Sequence, residues 1–270
     1  MSAASHPPSS VLLVQLTDSH LFAEPEGSLM GMRTRDGLEA VIARVREEQA
    51  DFDGLLVTGD LSQDGSVASY RAFRDLTEGF AVPTRWLPGN HDERPPMEEA
   101  ARGSSLLDPL LDVGNWRITL LDSSIAGCTA GQLADDQLQL LTRSLESAPD
   151  RHHLVCLHHH PVDVGCEWMQ TIGLRNADVL LATLDAYAPV KALLWGHVHQ
   201  AFDHSHHGVR LLASPSTCIQ FAPGSADFRL DEQRGPGYRW LRLHDDGRLD
   251  TGVSRIDDVD FGIDFSGGGY

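Results

Sequence analysis

Short apolar runs alternate with polar, glycine-containing segments along the chain up to residue 200. Five of these runs, rich in Leu, Val and Trp, predict buried β-strands. They are residues 11–16, 55–57, 86–88, 154–157 and 192–195. Each run leads directly into a segment that carries Asp, Asn or His. Because ligands bind at the carboxyl ends of strands in open α/β sheets, the pattern predicts one site built from five strand ends.

Other segments show the 3.6-residue spacing of amphipathic helices. Predicted helices cover residues 36–45, 66–78, 134–146 and 176–187. Asp36 is expected to be the N-cap of the first helix. After residue 199, apolar stretches at 209–213 and 238–243 alternate with turns and predict antiparallel strands. The order of these elements indicates two packed sheets flanked by helices, in the α/β class.

The chain has 270 residues, of which 41% are hydrophobic, and this is enough for one core. We expect a single domain at residues 11–256, a flexible N-terminus at 1–10 and a mobile acidic tail at 257–270. The N-terminal segment lacks basic residues, and the apolar run after it is too short for a signal peptide or a membrane span. The four cysteines form no Cys-x-x-Cys pair, which favours reduced thiols and a cytoplasmic protein.

The charge balance argues against nucleic-acid and membrane partners. Lys and Arg number 21 and Asp and Glu 39, so the net charge is −18. An acidic surface repels phosphate backbones and anionic lipids. A small anionic substrate would also be repelled unless bound cations reverse the sign locally. A nuclease is therefore disfavoured.

The polar segments at the strand ends form an ordered series. They are Asp18-Ser19-His20, Gly59-Asp60, Gly89-Asn90-His91-Asp92, His159-His160-Pro161 and Gly196-His197-Val198-His199. In kind, order and spacing this series resembles the binuclear metallophosphoesterase (calcineurin-like) family. The resemblance spans residues 18–199 and implies a four-layer α/β/β/α sandwich of two mixed sheets, the metallophosphoesterase fold.

The resemblance also implies two divalent metal ions. The implied ligands are Asp18, His20, Asp60 and His199 for one ion, and Asp60, Asn90, His159 and His197 for the other. Asp60 can serve both ions because a carboxylate has two oxygens, whereas Asn adds a neutral ligand. Mixed nitrogen and oxygen donors suit iron, manganese, zinc or cobalt, and the resemblance favours iron or manganese.

Residues beside the implied ligands receive catalytic roles by the same resemblance. Together with Asn90, His91 is expected to contact the phosphoryl oxygens, and it could protonate the leaving oxygen. Asp92 is expected to orient His91. Within the triplet at 158–160, the spacing to Pro161 favours His159 as the ligand. His160 is then expected to face the substrate, and His158 to pack behind the ligands.

Further stretches resemble the bacterial class III 3′,5′-cyclic-AMP phosphodiesterases. They lie at residues 157–161, 165–168, 174–177, 216–221 and 236–239. The resemblance implies hydrolysis of cyclic AMP to 5′-AMP by in-line attack of a metal-bridging hydroxide. The expected substrate contacts are His20, Asp60, Asn90, His91, His199 and His160. Arg175, Asn176, Gln220 and Phe221 are candidates for an adenine slot.

Two other functions stay open at this point. The metal-binding motifs fit a phosphodiesterase for glycerophosphodiesters or other small phosphodiesters equally well. A catalytically dead binding scaffold on the same fold is disfavoured, because such a protein would have lost ligands that this chain retains. Both a monomer and a dimer are compatible with the sequence.

Overall fold

The computed structural model describes residues 10–266. In chain order the strands are β1 (Ser10–Leu16), β2 (Ser28–Leu29), β3 (Met32–Arg33), β4 (Gly54–Thr58), β5 (Thr84–Leu87), β6 (Leu110–Val113), β7 (Trp116–Leu120), β8 (His152–Cys156), β9 (Val190–Trp195), β10 (Phe202–His206), β11 (Val209–Ala213), β12 (Gly237–His244) and β13 (Leu249–Arg255). The helices are α1 (Thr34–Glu48), α2 (Val67–Glu78), α3 (Arg94–Ala101), α4 (Asp135–Ser147) and α5 (Ala177–Asp185), with a short 3₁₀ helix at Glu167–Met169.

Two large sheets carry the fold, and both are mixed. The first has the order β13-β12-β1-β4-β5, with β1, β4 and β5 parallel and β12 and β13 antiparallel to their neighbours. The second has the order β10-β11-β9-β8-β7-β6, with four parallel central strands and an antiparallel strand at each edge. Strands β2 and β3 form a separate two-stranded sheet.

Three apolar clusters separate four layers. Between the sheets, Leu13 and Leu56 of the first sheet pack with Leu154 and Leu194 of the second. A second cluster joins the outer face of the first sheet to α1, α2 and α3. A third joins the outer face of the second sheet to α4 and α5. The predicted α/β/β/α sandwich is confirmed, because each sheet buries one face on the other sheet and one on helices.

The helix ends differ from the predictions in two places. Helix α1 begins at Thr34, so Asp36 lies in its first turn and is not the N-cap; Arg33 holds that position and binds the Asp36 carboxylate instead. Helix α3 was not predicted, because it spans only eight residues and starts with two prolines. Proline is tolerated in the first turn, where the N–H has no intrahelical partner. Helix α2 begins at Val67, one residue after the predicted start, and Ser66 is its N-cap, accepting from the Ser69 N–H.

The two ends of the chain are described only in part. Residues 1–9 and 267–270 lie outside the described residues, so the predicted flexible N-terminus falls almost wholly outside them. Within 257–266, the backbone N–H of Asp264 donates to the Met30 carbonyl at 2.7 Å. Phe261 and Ile263 pack half-buried against the apolar clusters. The mobility of residues 257–270 stays a prediction. Part of this segment, residues 261–264, contacts the rest of the domain.

Between residues 10 and 266, every helix is too short or too polar to cross a lipid bilayer. All four cysteines lie within this range as free thiols, and Cys156, Cys166 and Cys218 are buried.

Candidate metal centre

The carboxyl ends of β1, β4 and β5 meet those of β8 and β9 at one edge of the sandwich. The backbone N–H of His197, after β9, donates to Asp18 Oδ1, after β1, at 3.0 Å. Nδ1 of His158, after β8, bonds to the carbonyl of Thr58, at the end of β4, at 2.7 Å. The five strand ends predicted to build one site therefore come together.

One group of donor atoms is formed by Asp18, His20, Asp60 and His199. The Nε2 atoms of His20 and His199 lie 3.3 Å apart, and His199 Nε2 lies 3.4 Å from Asp18 Oδ1. His20 Nε2 lies 3.8 Å from Asp60 Oδ2. Atoms bonded to one cation at about 2.0–2.2 Å lie about 3–3.6 Å from each other. The first two separations fall within this range and the third is slightly longer, and all four side chains are buried.

A second group shares Asp60 and contains Asn90, His158 and His197. His158 Nε2 lies 3.2 Å from both Asn90 Oδ1 and Asp60 Oδ2. Donor atoms of Asp60, His158 and His197 lie within 4.8 Å of one another. Oδ2 of Asp60 faces both groups, since it also lies 3.8 Å from His20 Nε2, whereas Oδ1 accepts from the His91 backbone N–H at 2.9 Å.

The geometry places His158, not His159, in the second group. Among the described residues, the sets of three donors that lie within 4.8 Å of one another include His158 but not His159. His159 Nδ1 bonds to the Ser123 hydroxyl at 2.8 Å, and its Nε2 is buried without a hydrogen-bond partner. The choice of His159 from its spacing to Pro161 is corrected on this ground. Strand β8 ends at Cys156, and His158 is the first histidine after it. Its side chain is the one that reaches Asp60.

The outward ring nitrogens of these histidines are held by protein oxygens. His20 Nδ1 bonds to Gln63 Oε1 at 2.7 Å, and His199 Nδ1 bonds to the Ile219 carbonyl at 2.8 Å. His197 Nε2 bonds to the Ile172 carbonyl at 3.1 Å. A carbonyl accepts only from a ring N–H, so the other nitrogen presents its lone pair to the centre. This arrangement is usual for metal-bound histidine.

The backbone at this edge is strained. Positive φ angles occur at five of the predicted ligands, namely Asp18 (54°), His20 (46°), Asp60 (51°), His197 (68°) and His199 (47°). For a residue with a Cβ, this left-handed conformation costs roughly 1–2 kcal/mol. Such strain clusters at functional sites, where the surrounding structure holds it. The left-handed conformation directs the donor atoms of these turn residues toward one point.

Two glycines permit the close approach of the strands. A Cβ at Gly89 would lie 2.1 Å from Asp60 Oδ1, and one at Gly59 would lie 2.4 Å from His158 Nδ1. Gly59 also has a φ of 95°, which side chains disfavour. The glycine of each motif is therefore required by the position of a donor on another strand.

Electrostatics favour cations at this centre. Burial lowers the pKa of His20 to about 3, and burial holds the pKa of His197 well below its ordinary value. Burial also lowers the pKa of His158, but the Asp60 carboxylate outweighs it and raises the pKa to about 9. Burial raises the pKa of Asp60, but the imidazoles around it hold the pKa well below its ordinary value. Asp60 is therefore ionised and His20 and His197 are neutral, whereas His158 carries a proton beside Asp60 that it would release on binding a divalent cation.

Asp92 holds backbone rather than serving as the predicted partner of His91. Its Oδ1 accepts from the N–H of Ser62 at 3.1 Å, and its Oδ2 accepts from the N–H of Gly89 at 2.9 Å and of Leu61 at 3.3 Å. Burial, together with the charge of Asp60, raises the pKa of Asp92 to about 7. Its predicted role is corrected: through these hydrogen bonds, Asp92 links the loop that carries Asp60 to the loop that carries Asn90.

A cavity of about 240 Å³ opens above the donor groups. Its floor and rim are formed by Asp60, Asn90, His91, Thr129, Trp168, Ile172, His197, Phe221 and Phe228. His91 lies with its ring centroid 4.9 Å from that of His20, and its backbone N–H donates to Asp60 Oδ1 at 2.9 Å. The predicted position of His91 beside the ligands is thus where the structure places it.

The other predicted substrate contacts mostly lie elsewhere. His160 is 4% exposed, stacks on His197 and lines a neighbouring depression with Arg175, so neither lines the cavity. Asn176 bonds twice to the backbone of Leu133. Gln220 is 2% exposed and bonds to the carbonyls of residues 216 and 218 and to an arginine. The predicted substrate contacts at His160, Arg175, Asn176 and Gln220 are corrected on this ground. Phe221 does line the cavity, and it stacks on His199.

Four cavity residues were not predicted as site residues: Thr129, Trp168, Ile172 and Phe228. Trp168 lies in a stretch that resembles the cyclic-nucleotide phosphodiesterases, which could have drawn attention to it. The other three lie in loops without a local motif, so no sequence signal distinguishes them.

Comparison with known proteins gives three findings. The family model of calcineurin-like phosphoesterases matches residues 12–201. A protein of Pseudomonas aeruginosa named 3′,5′-cyclic adenosine monophosphate phosphodiesterase CpdA is 58% identical, over 100% of both chains. The protein of that name from Escherichia coli (strain K12) is 44% identical over 96% of this chain and 95% of its own. A dimetal phosphatase from Danio rerio shares the fold, with a TM-score of 0.64 at 16% identity over 92% of this chain and 99% of its own.

Proposed function

The chain belongs to the calcineurin-like phosphoesterase family, and we propose that it is a metal-dependent phosphodiesterase that hydrolyses 3′,5′-cyclic AMP to 5′-AMP. The observation that carries the proposal is the pair of buried donor groups that share Asp60 beneath a cavity with one aromatic wall. The substrate is supported by the two full-length relatives whose names specify cyclic AMP. The family resemblance expected from the motifs is confirmed.

We assign the two donor groups to two divalent ions. Asp18, His20, Asp60 and His199 would hold one ion, and Asp60, Asn90, His158 and His197 the other. When bound, the ions supply positive charge to phosphoryl oxygens and lower the pKa of water to make a nucleophile. The seven donors comprise four imidazoles, two carboxylates and one amide, a set that accepts iron, manganese, zinc or cobalt. We propose iron or manganese as the ions in use.

The residues that line the cavity have separate roles in binding the phosphoryl group and in proton donation. Asn90 and His91 stand at the end nearest the donor groups, where N–H groups can donate to phosphoryl oxygens. The imidazole of His91 can give a proton to the departing 3′ oxygen, the role of a general acid. His20 and His199 hold fixed ring orientations beside it. Phosphate binding and proton donation thus occur at one end of the cavity.

The apolar wall of the cavity suits a purine. Trp168, Phe221 and Phe228 form a wall in which each ring meets the other two at centroid distances of 5.2–5.4 Å. Ile172 adds a further apolar side chain. Stacking of a base on aromatic rings contributes about 1–3 kcal/mol per base. We therefore assign the adenine slot to this aromatic wall. Of the residues expected there from the sequence, Phe221 is part of the wall, whereas Arg175, Asn176 and Gln220 are not.

Trp168→Ala will raise KM for cyclic AMP roughly 5- to 150-fold and leave kcat less affected, because the lost stacking of about 1–3 kcal/mol acts on the base. Ribose 3′,5′-cyclic phosphate, which lacks the base, should show little change in KM. Steady-state kinetics on both substrates will measure the difference, with Phe265→Ala, 44% exposed, as the control. Equal losses on both substrates would remove Trp168 from base recognition.

His158→Ala will reduce the bound metal from two ions to one per chain, whereas His159→Ala will retain two. The reason is that His158 Nε2 lies 3.2 Å from both Asp60 and Asn90, whereas His159 bonds to Ser123 through its Nδ1. Metal content after dialysis, with the thermal unfolding midpoint as a check on folding, will separate the two. Loss of an ion in the folded His159 variant alone would restore the original choice of ligand.

The proposed activity is tested with purified protein reconstituted with Mn²⁺ or Fe²⁺. Initial rates on cyclic AMP, cyclic GMP and glycerophosphocholine are compared at equal concentration. We expect the largest kcat/KM for cyclic AMP. A preference for glycerophosphocholine would favour the glycerophosphodiesterase alternative, and no turnover of any diester with two ions bound would favour the inactive scaffold.

We also propose that the protein works in the cytoplasm with a small-molecule partner. Four free cysteine thiols are typical of proteins in a reducing compartment. The net charge of −18 disfavours nucleic acid and anionic membrane surfaces as partners.

A further inference from the structure

A separate group of donors lies at the opposite edge of the second sheet. Asp185 is the last residue of α5 and precedes β9, whereas the metal centre follows β9. His206 is the last residue of β10, and His207 lies in the two-residue turn to β11. Because β9 and β11 run parallel, this turn and the start of β9 share an edge away from the metal centre. We call Asp185, His206 and His207 the edge cluster.

The edge cluster has the spacing of a metal site. Asp185 Oδ2 lies 2.8 Å from His207 Nδ1 and 3.6 Å from His206 Nε2. All three donor atoms lie within 4.8 Å of one another. Donors of a tetrahedral zinc ion, bound at about 2.0–2.2 Å, lie about 3.3–3.6 Å apart. Small side-chain rotations would bring all three to one cation. Asp185 and His207 are exposed and His206 is partly buried, which leaves room for water as a fourth ligand.

The hairpin holds the two imidazoles together. His207 has a φ of 48° and Gly208 a φ of 90°, so both residues of the turn are left-handed. Asn-Gly is the usual sequence for such a turn, and histidine is a costlier occupant of the first position. The rings of His206 and His207 stack with centroids 4.0 Å apart. Two protonated imidazoles at this distance would repel each other, whereas two neutral ones can share a cation with the carboxylate.

We propose that the edge cluster is a third metal site, which binds a divalent transition ion such as Zn²⁺ independently of the catalytic ions. Two imidazole nitrogens and one carboxylate oxygen select zinc, nickel or copper over magnesium and calcium, which prefer all-oxygen sites. The site uses no residue of the metal centre or the cavity. A failure of this proposal would therefore leave the proposed phosphodiesterase activity unaffected.

The test compares the holoprotein with His207→Asn and Asp185→Asn variants. Asn suits the left-handed turn position, so His207→Asn removes the imidazole without opposing the hairpin. His204→Asn, on the exposed part of β10, is the matched control. After equilibrium dialysis against a series of Zn²⁺ concentrations, we measure the zinc and total metal bound per chain by mass spectrometry.

We expect wild-type protein and His204→Asn to bind one more ion per chain than His207→Asn and Asp185→Asn do at the same free Zn²⁺. Loss of one ligand should weaken this extra site by at least roughly 10–100-fold, the range found for lesser changes around metal ligands. Hydrolysis of cyclic AMP with the catalytic ions bound should be equal in all four proteins. Identical zinc isotherms for wild type and His207→Asn, or an equal loss in His204→Asn, would overturn the proposal.

Discussion

Asp60→Asn will lower kcat/KM for cyclic AMP to below about one-thousandth of wild type, since removing a single preorganised donor from an active site already costs about 10²–10³. Asp60 belongs to both donor groups, with Oδ2 3.2 Å from His158 Nε2 and 3.8 Å from His20 Nε2. Asn keeps the shape but supplies one neutral oxygen in place of two charged ones. Neither ion would then be held at its proper charge and distance.

The fold should survive this substitution, because the amide oxygen can still accept from the His91 backbone N–H, as Asp60 Oδ1 does at 2.9 Å. Metal content, cyclic-AMP turnover and the unfolding midpoint are measured together. Asp122→Asn is the control: Asp122 also follows a strand, but its carboxylate binds Arg94 at 2.8 Å outside the cavity. A folded Asp60→Asn protein with two ions and near-wild-type turnover would refute the role of Asp60.

His91→Ala will retain two ions per chain and reduce kcat by about 10²–10⁴, the usual contribution of a general acid. His91 lines the cavity next to Asn90 and has a donor atom within 4.8 Å of donors of His20 and Asp60, but each donor group already has four residues without it. The loss should therefore fall on kcat more than on KM. It should be smaller for a substrate whose leaving group needs no proton, such as a p-nitrophenyl phosphodiester.

Metal analysis and the rates on the two substrates measure this prediction, and added imidazole should restore part of the cyclic-AMP activity. His204→Ala, on the exposed strand β10, controls for loss of a histidine as such. Loss of an ion from His91→Ala would assign the residue to metal binding instead. An equal loss on both substrates would point to binding of the phosphoryl group without proton donation.

The sequence was sufficient for the architecture and for most of the side chains that the fold brings together as proposed metal donors, because both depend on local pattern. Apolar runs of strand length and amphipathic stretches of helix length predicted the layers, which the three apolar clusters confirm. Gly-Asp and Gly-His-x-His place donors directly after strands, and strands of one direction end at one edge. Helix α3 was missed because its two prolines and eight residues carry too weak a periodicity.

The choice between His158 and His159 could not be made from the sequence. Successive side chains at the end of a strand point in opposite directions, so a shift of one residue exchanges the two imidazoles. Only the pairing of β8 in the sheet places His158 Nε2 at 3.2 Å from Asp60 and sets His159 against Ser123. The same limit applies to Asp92, whose carboxylate binds backbone N–H groups that no motif reveals.

The chain by itself determined which residue types stand at the strand ends, and hence a family, a pair of metal ions and a reaction class. The tertiary structure alone decided which imidazole faces the Asp60 carboxylate and which side chains line the cavity. The reason is the range of the interactions: donors after a strand are positioned by a few neighbouring residues. The cavity wall instead joins Thr129, Trp168, Ile172 and Phe228, which only folding brings together.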